Sequence, residues 1–198
     1  MRHVVLAAVL SVSPALAQTA VSQGPITCSS PVAADDSAKS LMLRHGNEAV
    51  IQDGLFSGVE DITYKGLVLH PHSPEWRIEV FFADETMSRA ARLTLHDTKS
   101  GHWNVAGVTL GATLAEVQKI NGKPFLVSEF DSDFSGFVVD WKGGVLGRPL
   151  PGGCMLVVRF GRNSDGGAPG GNPISSNNAK LLKWGPVVEQ IEVRFPDK

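Results

Sequence analysis

Tyrosine occurs once in this 198-residue chain and cysteine twice, and the charges nearly cancel, with 18 Lys and Arg against 20 Asp and Glu. Near-neutrality removes the basic footprint of wholesale nucleic-acid binding, so no nucleic-acid partner is expected. No apolar run comes near the roughly 20 residues of a membrane-crossing helix. Neither cysteine lies in a C-x-x-C pair, which removes a redox motif. There is no G-x-S-x-G elbow, no H-E-x-x-H, no Walker loop and no G-x-G-x-x-G opening a helix. What remains is 42 % hydrophobic and 19 % charged, which excludes a disordered polyelectrolyte and allows a core. The 21 glycines point to a turn-rich chain. At about 150 residues per domain, the length allows one or two.

The N-terminus reads as an export signal. Met1-Arg2-His3 is a short basic start, Val4 to Val12 is apolar apart from Ser11, and Ala15-Leu16-Ala17 is an A-x-A site. Cleavage before Gln18 would remove residues 1–17, Arg2 among them, and leave a net charge of −3. A buried N-terminal helix is the competing reading, which Pro14 and the small residues fit less well. Cys28 is not preceded by a Leu-x-x-Cys lipobox, so no lipid anchor is expected. The mature protein is expected in the periplasm or outside the cell. In that oxidising setting Cys28 and Cys154 favour one disulfide, and only one connectivity exists. The alternative is two buried, unpaired thiols.

Residues 18–34 read as a loose arm up to Ile26-Thr27-Cys28. Asp35-Asp36-Ser37 offers helix caps, and Gly46 a stop, for a helix over 37–45. Strand candidates follow at 50–52, 62–69, 77–83 and 91–96; Ile78, Val80 and Phe82 alternate with Arg77, Glu79 and Phe81. The same order then recurs. Thr113-Leu114-Ala115-Glu116 is a capping box, the helix stops at Asn121-Gly122 before Pro124, and strands are expected at 125–130, 137–141, 155–160 and 187–195. Two glycine-rich stretches, 143–153 and 163–178, have loop composition. The spacing of Gly46 and Gly122 suggests an internal repeat. The expected fold is α+β: two helix-plus-antiparallel-meander units, 35–105 and 106–198, with the helices packed on sheet.

Three clusters carry whatever chemistry there is. His70-Pro71-His72, with His96 and His102 flanking another loop, places imidazoles in turns; zinc needs three or four ligands, and two turn histidines supply at most half. Asp131-Ser132-Asp133-Phe134-Ser135-Gly136 matches the start of a calcium loop, with Asp131, Asp133 and Ser135 as the candidate ligands. Lys142 stands where the bidentate Glu belongs, and a β-turn rich in Asp, Ser and Gly explains the run equally well. Phe130, Phe134 and Trp141 crowd the same region and are the candidate binding residues, since aromatics are favoured at interfaces and equally in cores. Glu116 is better explained by its cap than by acid catalysis.

The run Gly107-Val108-Thr109-Leu110-Gly111-Ala112-Thr113-Leu114-Ala115-Glu116-Val117, followed by Asn121-Gly122-Lys123-Pro124-Phe125, resembles an uncharacterised family of secreted bacterial proteins. That family carries G-x-x-x-G-x-(T/S)-L-x-E-(V/L), then N-G-x-P-F, then an aromatic G-F-x-W-D-Y-x-G segment and a V-x-x-W strand. Phe130, Asp133, Phe134, Gly136, Val138 and Trp141 fit the later part, while Ser132 and Glu129 depart from its Trp and Gly. The resemblance implies secretion and fold and no catalytic residue; its aromatic preference at 132 speaks against calcium. More loosely, Val108, Gly111, Thr113 and Val117 form a V-x-x-G-x-(T/S)-x-x-x-V run. It is similar to that of the SmpA/OmlA-type outer-membrane assembly lipoproteins and of the tandem-repeat secreted inhibitor of β-lactamases. Those are helix-on-sheet modules that bind proteins. The expectation is therefore a secreted or periplasmic, non-catalytic protein without a cofactor that binds a protein or envelope component. The alternatives are an enzyme using His70, His72, His96 or Asp133, and a calcium-stabilised structural protein.

Overall fold

The computed structural model describes residues 24–56, 62–96, 102–130, 135–161 and 167–197. These hold three helices and eleven strands, an α+β fold of mostly antiparallel sheet, as the order of elements implies. The predicted signal peptide lies outside the described residues. Among those described, no helix is long and apolar enough to cross a membrane.

Local chemistry sets the helices. α1 (Ala38–His45) opens with a reciprocal box in which Ser37 and Ser40 each accept the other's N–H at 3.0 Å. Asp36 accepts from the Ala33 N–H and the Ser40 hydroxyl and pairs with Arg44. Burial opposes its charge, but those partners outweigh burial and hold the Asp36 carboxyl below the usual range. α2 (Leu114–Asn121) opens as expected, with Thr113 N–H donating to the Glu116 carboxylate at 2.8 Å and the Glu116 N–H returning to the Thr113 hydroxyl. A third helix, α3 (Ala179–Trp184), was not anticipated; Asn178 caps it by accepting from two N–H groups.

β2 (Ala49–Phe56), β3 (Thr63–Leu69), β4 (Ile78–Phe82) and β5 (Ala90–His96) form an antiparallel meander. β9 (Met155–Gly161) and β11 (Val187–Arg194) complete a six-stranded sheet in the order β2-β3-β4-β5-β11-β9. Strands from 35–105 and from 106–198 thus share one sheet. β7 (Leu126–Val127), β8 (Val138–Asp140) and β10 (Ile174–Ser175) make a small sheet in the order β10-β7-β8.

Several expectations need correction. Gly24–Ile26 of the arm is a strand, β1, which pairs in parallel with β6 (Trp103–Val105). The strands expected at 125–130 and 137–141 shrink to β7 and β8. The glycine-rich stretch 163–178 contains β10, and 143–153 contains a 3₁₀ turn, Val145–Gly147, that buries Leu146. Strands of two or three residues are held by partners distant in sequence and leave no periodicity to read.

The core lies on one face of the large sheet. Ile51, Leu67, Val80, Leu93, Val193 and Leu156 form one row across all six strands, and the four central members have no exposed surface. Ala38 and Leu41 of α1, Leu114 and Val117 of α2 and Leu181 of α3 join the same cluster. Each buried Leu or Val of this set contributes about 1.5–3 kcal/mol through burial. The expected disulfide is present: Cys28 and Cys154, 126 residues apart, are joined with Cα atoms 5.5 Å apart. On the chain-entropy estimate that closure stabilises by about 5 kcal/mol.

Candidate functional site at the edge of the sheet

The segment that carries the aromatic and calcium-like residues folds back on β9. Ser128 N–H donates to the Phe137 carbonyl at 2.9 Å and Gly136 N–H to the Glu129 carbonyl at 2.9 Å, so 128–130 and 135–137 lie side by side. The Phe160 N–H then donates to the Gly136 carbonyl at 2.8 Å, which partners the outer edge of β9. Gly136 has φ 76°, and a Cβ there would stand 2.0 Å from the Phe160 carbonyl oxygen. Only glycine permits this approach.

On its other side β9 meets an irregularity. The β11 register shifts between Val188 and Gln190, so Glu189 bulges out of the ladder. Its carboxylate meets Arg159 Nε at 3.1 Å. The same Nε donates to the Ser135 carbonyl at 3.0 Å, and the guanidinium lies 5.4 Å from the centre of the Phe137 ring. Arg159 is held from three sides, with 19 % of its side chain exposed.

Between these parts is a cavity of about 290 Å³ walled by Phe130, Trp184, Phe160, Ala168 and the Arg159–Glu189 pair, with Ser135 at its margin. Phe130 and Trp184 meet edge to face at 4.8 Å. This volume falls just under the usual small-molecule range and suits one projecting side chain or ring. The aromatic walls offer apolar contact, and the ion pair offers a donor and an acceptor at one point.

Two predicted site residues therefore come together here, Phe130 and Ser135. Trp141 does not line this cavity; it packs against Phe125 at 5.2 Å on the core. Asp131, Asp133 and Phe134 lie outside the described residues. Ser135, a candidate calcium ligand, has the cationic Arg159 guanidinium held against it through its carbonyl. Sequence reading missed Arg159, Trp184 and Glu189. A lone Arg in the otherwise apolar run Met155-Leu156-Val157-Val158-Arg159-Phe160 was a signal available for the first.

The histidines go elsewhere. His70 Nδ1 sits 3.2 Å from Glu48, His72 is exposed, and His102 stacks on Trp76 at 4.7 Å. His96 Nε2 lies 2.8 Å from Glu79 Oε2 on the face of the large sheet away from the core. That face holds a row the sequence reading did not assemble: Val50, Val68, Glu79, Thr94, Glu192 and Val157. Glu79, Thr94 and Glu192 are 3–4 % exposed. Arg77 donates twice to Glu79 Oε1, and Gln190 and Arg194 donate to Glu192. Burial raises the Glu79 pKa, but His96 and Arg77 outweigh it and hold the carboxyl below the usual range. Among the described residues, no group of three or more His, Cys, Asp or Glu side chains is arranged to hold a metal ion.

Comparison with known proteins finds no matching family model, no matching curated protein and no matching solved structure.

Proposed function

We propose that the protein is an exported, non-catalytic binding module that receives one anchoring group of a protein or envelope partner in the β9-edge cavity. The observation that carries this reading is the cavity itself: aromatic walls, a held ion pair and room for one side chain, the layout of an anchor pocket at an interface. The disulfide and the secretory grammar of residues 1–17 support an oxidising compartment.

Export has a direct test. Protein recovered from the periplasm should have the mass of residues 18–198 less two hydrogens, with alkylation only after reduction; an uncleaved chain with free thiols overturns the compartment. Binding is tested by a photo-crosslinking residue at exposed Leu182 of α3, two positions before the cavity-lining Trp184, with exposed Leu43 on α1 as control. A discrete adduct from position 182, absent from 43 and lost in Arg159→Ala, is the expected result. No adduct, or the same adduct from both positions, removes the cavity as the docking point.

A further inference from the structure

The face of the large sheet away from the core carries Arg92, Arg159 and Arg194 on three strands and Arg77 just before a fourth, and all but Arg92 have a carboxylate. Arg77 pairs with Glu79 at 2.8 Å, Arg194 with Glu192 at 2.9 Å and Arg159 with Glu189 at 3.1 Å. Arg92 has no acidic partner among the described residues. Its guanidinium lies 4.1 Å from the centre of the Phe81 ring and 5.9 Å from that of Tyr64. Its Nε is buried without a hydrogen-bond partner.

Register makes this more unusual. Arg92 of β5 stands directly opposite Arg194 of β11, in a row Phe81, Arg92, Arg194, Met155. Like charges directly opposite on neighbouring strands destabilise a sheet. A buried N–H without a partner costs free energy as well. An oxyanion shared by the two guanidiniums would relieve both, since a carboxylate accepts from an arginine fork in a bidentate way. Charge decides which oxyanion. With the other arginines matched, the face carries one uncompensated positive charge, and Glu79 and Glu192 flank it in the adjacent row. A monoanion neutralises it, whereas a phosphate dianion would overshoot beside two carboxylates. Tyr64, 49 % exposed, and exposed Met155 supply apolar surface at either end of the row.

We infer that Arg92 and Arg194 form a binding site for a monocarboxylate bearing an apolar or aromatic group, separate from the β9-edge cavity. A free organic acid and the C-terminus of a peptide share that chemistry. Tyr64 is the only tyrosine, so protein labelled with ¹³C-tyrosine gives one ring signal beside the site. Sodium benzoate should move that signal saturably, as should N-acetylphenylalanine if chain termini are accepted; response to only one of the two identifies the source. Benzamide, which has the shape without the charge, should leave the signal in place, and inorganic phosphate should bind more weakly than benzoate. Arg92→Gln should weaken benzoate binding about tenfold or more, as expected for a lost charge-assisted bond. Should that variant fail to fold, Arg194→Gln at the more exposed position gives the same test. The inference is overturned by a signal unmoved by either acid, by an equal response to benzamide, by phosphate binding more tightly than benzoate, or by an unchanged response in the arginine variants.

Discussion

The two faces of the six-stranded sheet solve burial in opposite ways. On the core face, the row through Leu67, Val80, Leu93 and Val193 is wholly apolar and fully buried. One residue along each strand, the other face buries Glu79, Thr94 and Glu192 almost as deeply. The first row gains from removing apolar surface from water, a non-directional effect that tolerates adjustment. The second is sound only if each polar atom finds a partner, because a half-satisfied network is worse than an apolar one. Glu192 meets that condition through Gln190 and Arg194, two positions away along its own strand; Glu79 has Arg77 on one oxygen and relies on the His96 ring of β5, 2.8 Å away, for the other. Thr94, between them, does not meet it: its hydroxyl is buried without a partner. A sheet of the same backbone thus carries a robust face and a conditional one.

Substitutions can separate the two. Leu93→Ala, at a fully buried site between Val80 and Val193, should lower the unfolding free energy by about 3–4 kcal/mol in urea titration at any pH near neutrality. Glu79→Gln should cost about 2 kcal/mol at pH 7, the scale of lost charge-assisted hydrogen bonds. Its effect should also depend on pH, and the sign follows from the depressed pKa. A carboxyl held below its ordinary 4.5 contributes stability that is fully present above that value and is lost as pH falls through the folded-state pKa. Thermal melts of the wild type should therefore lose stability on acidification below 4.5 more steeply than those of Glu79→Gln. Thr94→Val should be neutral or stabilising by up to about 1 kcal/mol, since it removes a buried hydroxyl that has no partner; a loss of more than that would show the hydroxyl to be satisfied. Calcium should have the smallest effect. With the cationic Arg159 guanidinium held at Ser135, melts in millimolar Ca²⁺ and in EDTA should coincide, whereas a specific ion would raise the midpoint.

What was legible in the sequence was local. Thr113 and Glu116 announce a helix start within four residues, and Gly46 and Gly122 announce stops, because these signals act through neighbouring backbone atoms. The alternation of Ile78 and Val80 with Glu79 marks β4 for the same reason. The disulfide was legible because two cysteines leave one pairing. The short strands β1, β6, β7, β8 and β10 were missed or overdrawn because distant partners define them. α3 had a readable cap in Asn178 and a stop in Gly185, but its six residues fell beside a stretch of loop composition. The site followed the same division. Phe130 and Ser135 stood out as part of a motif. Arg159, Trp184 and Glu189 reach them only through strand pairing, a bulge and a helix end. The row of Glu79, Thr94 and Glu192 required the register of three strands to be seen at all.

The position of β11 has a consequence in time. A chain is made from its N-terminus, so β5 and β9 both exist before the strand that joins them. Until Val187–Arg194 is available, β5 presents a bare edge beside Leu93 and Leu95, and β9 another beside Leu156 and Val158. Each is a template for a foreign strand. The interval between the making of β9 and that of β11 is therefore when these two edges stand open to misassembly.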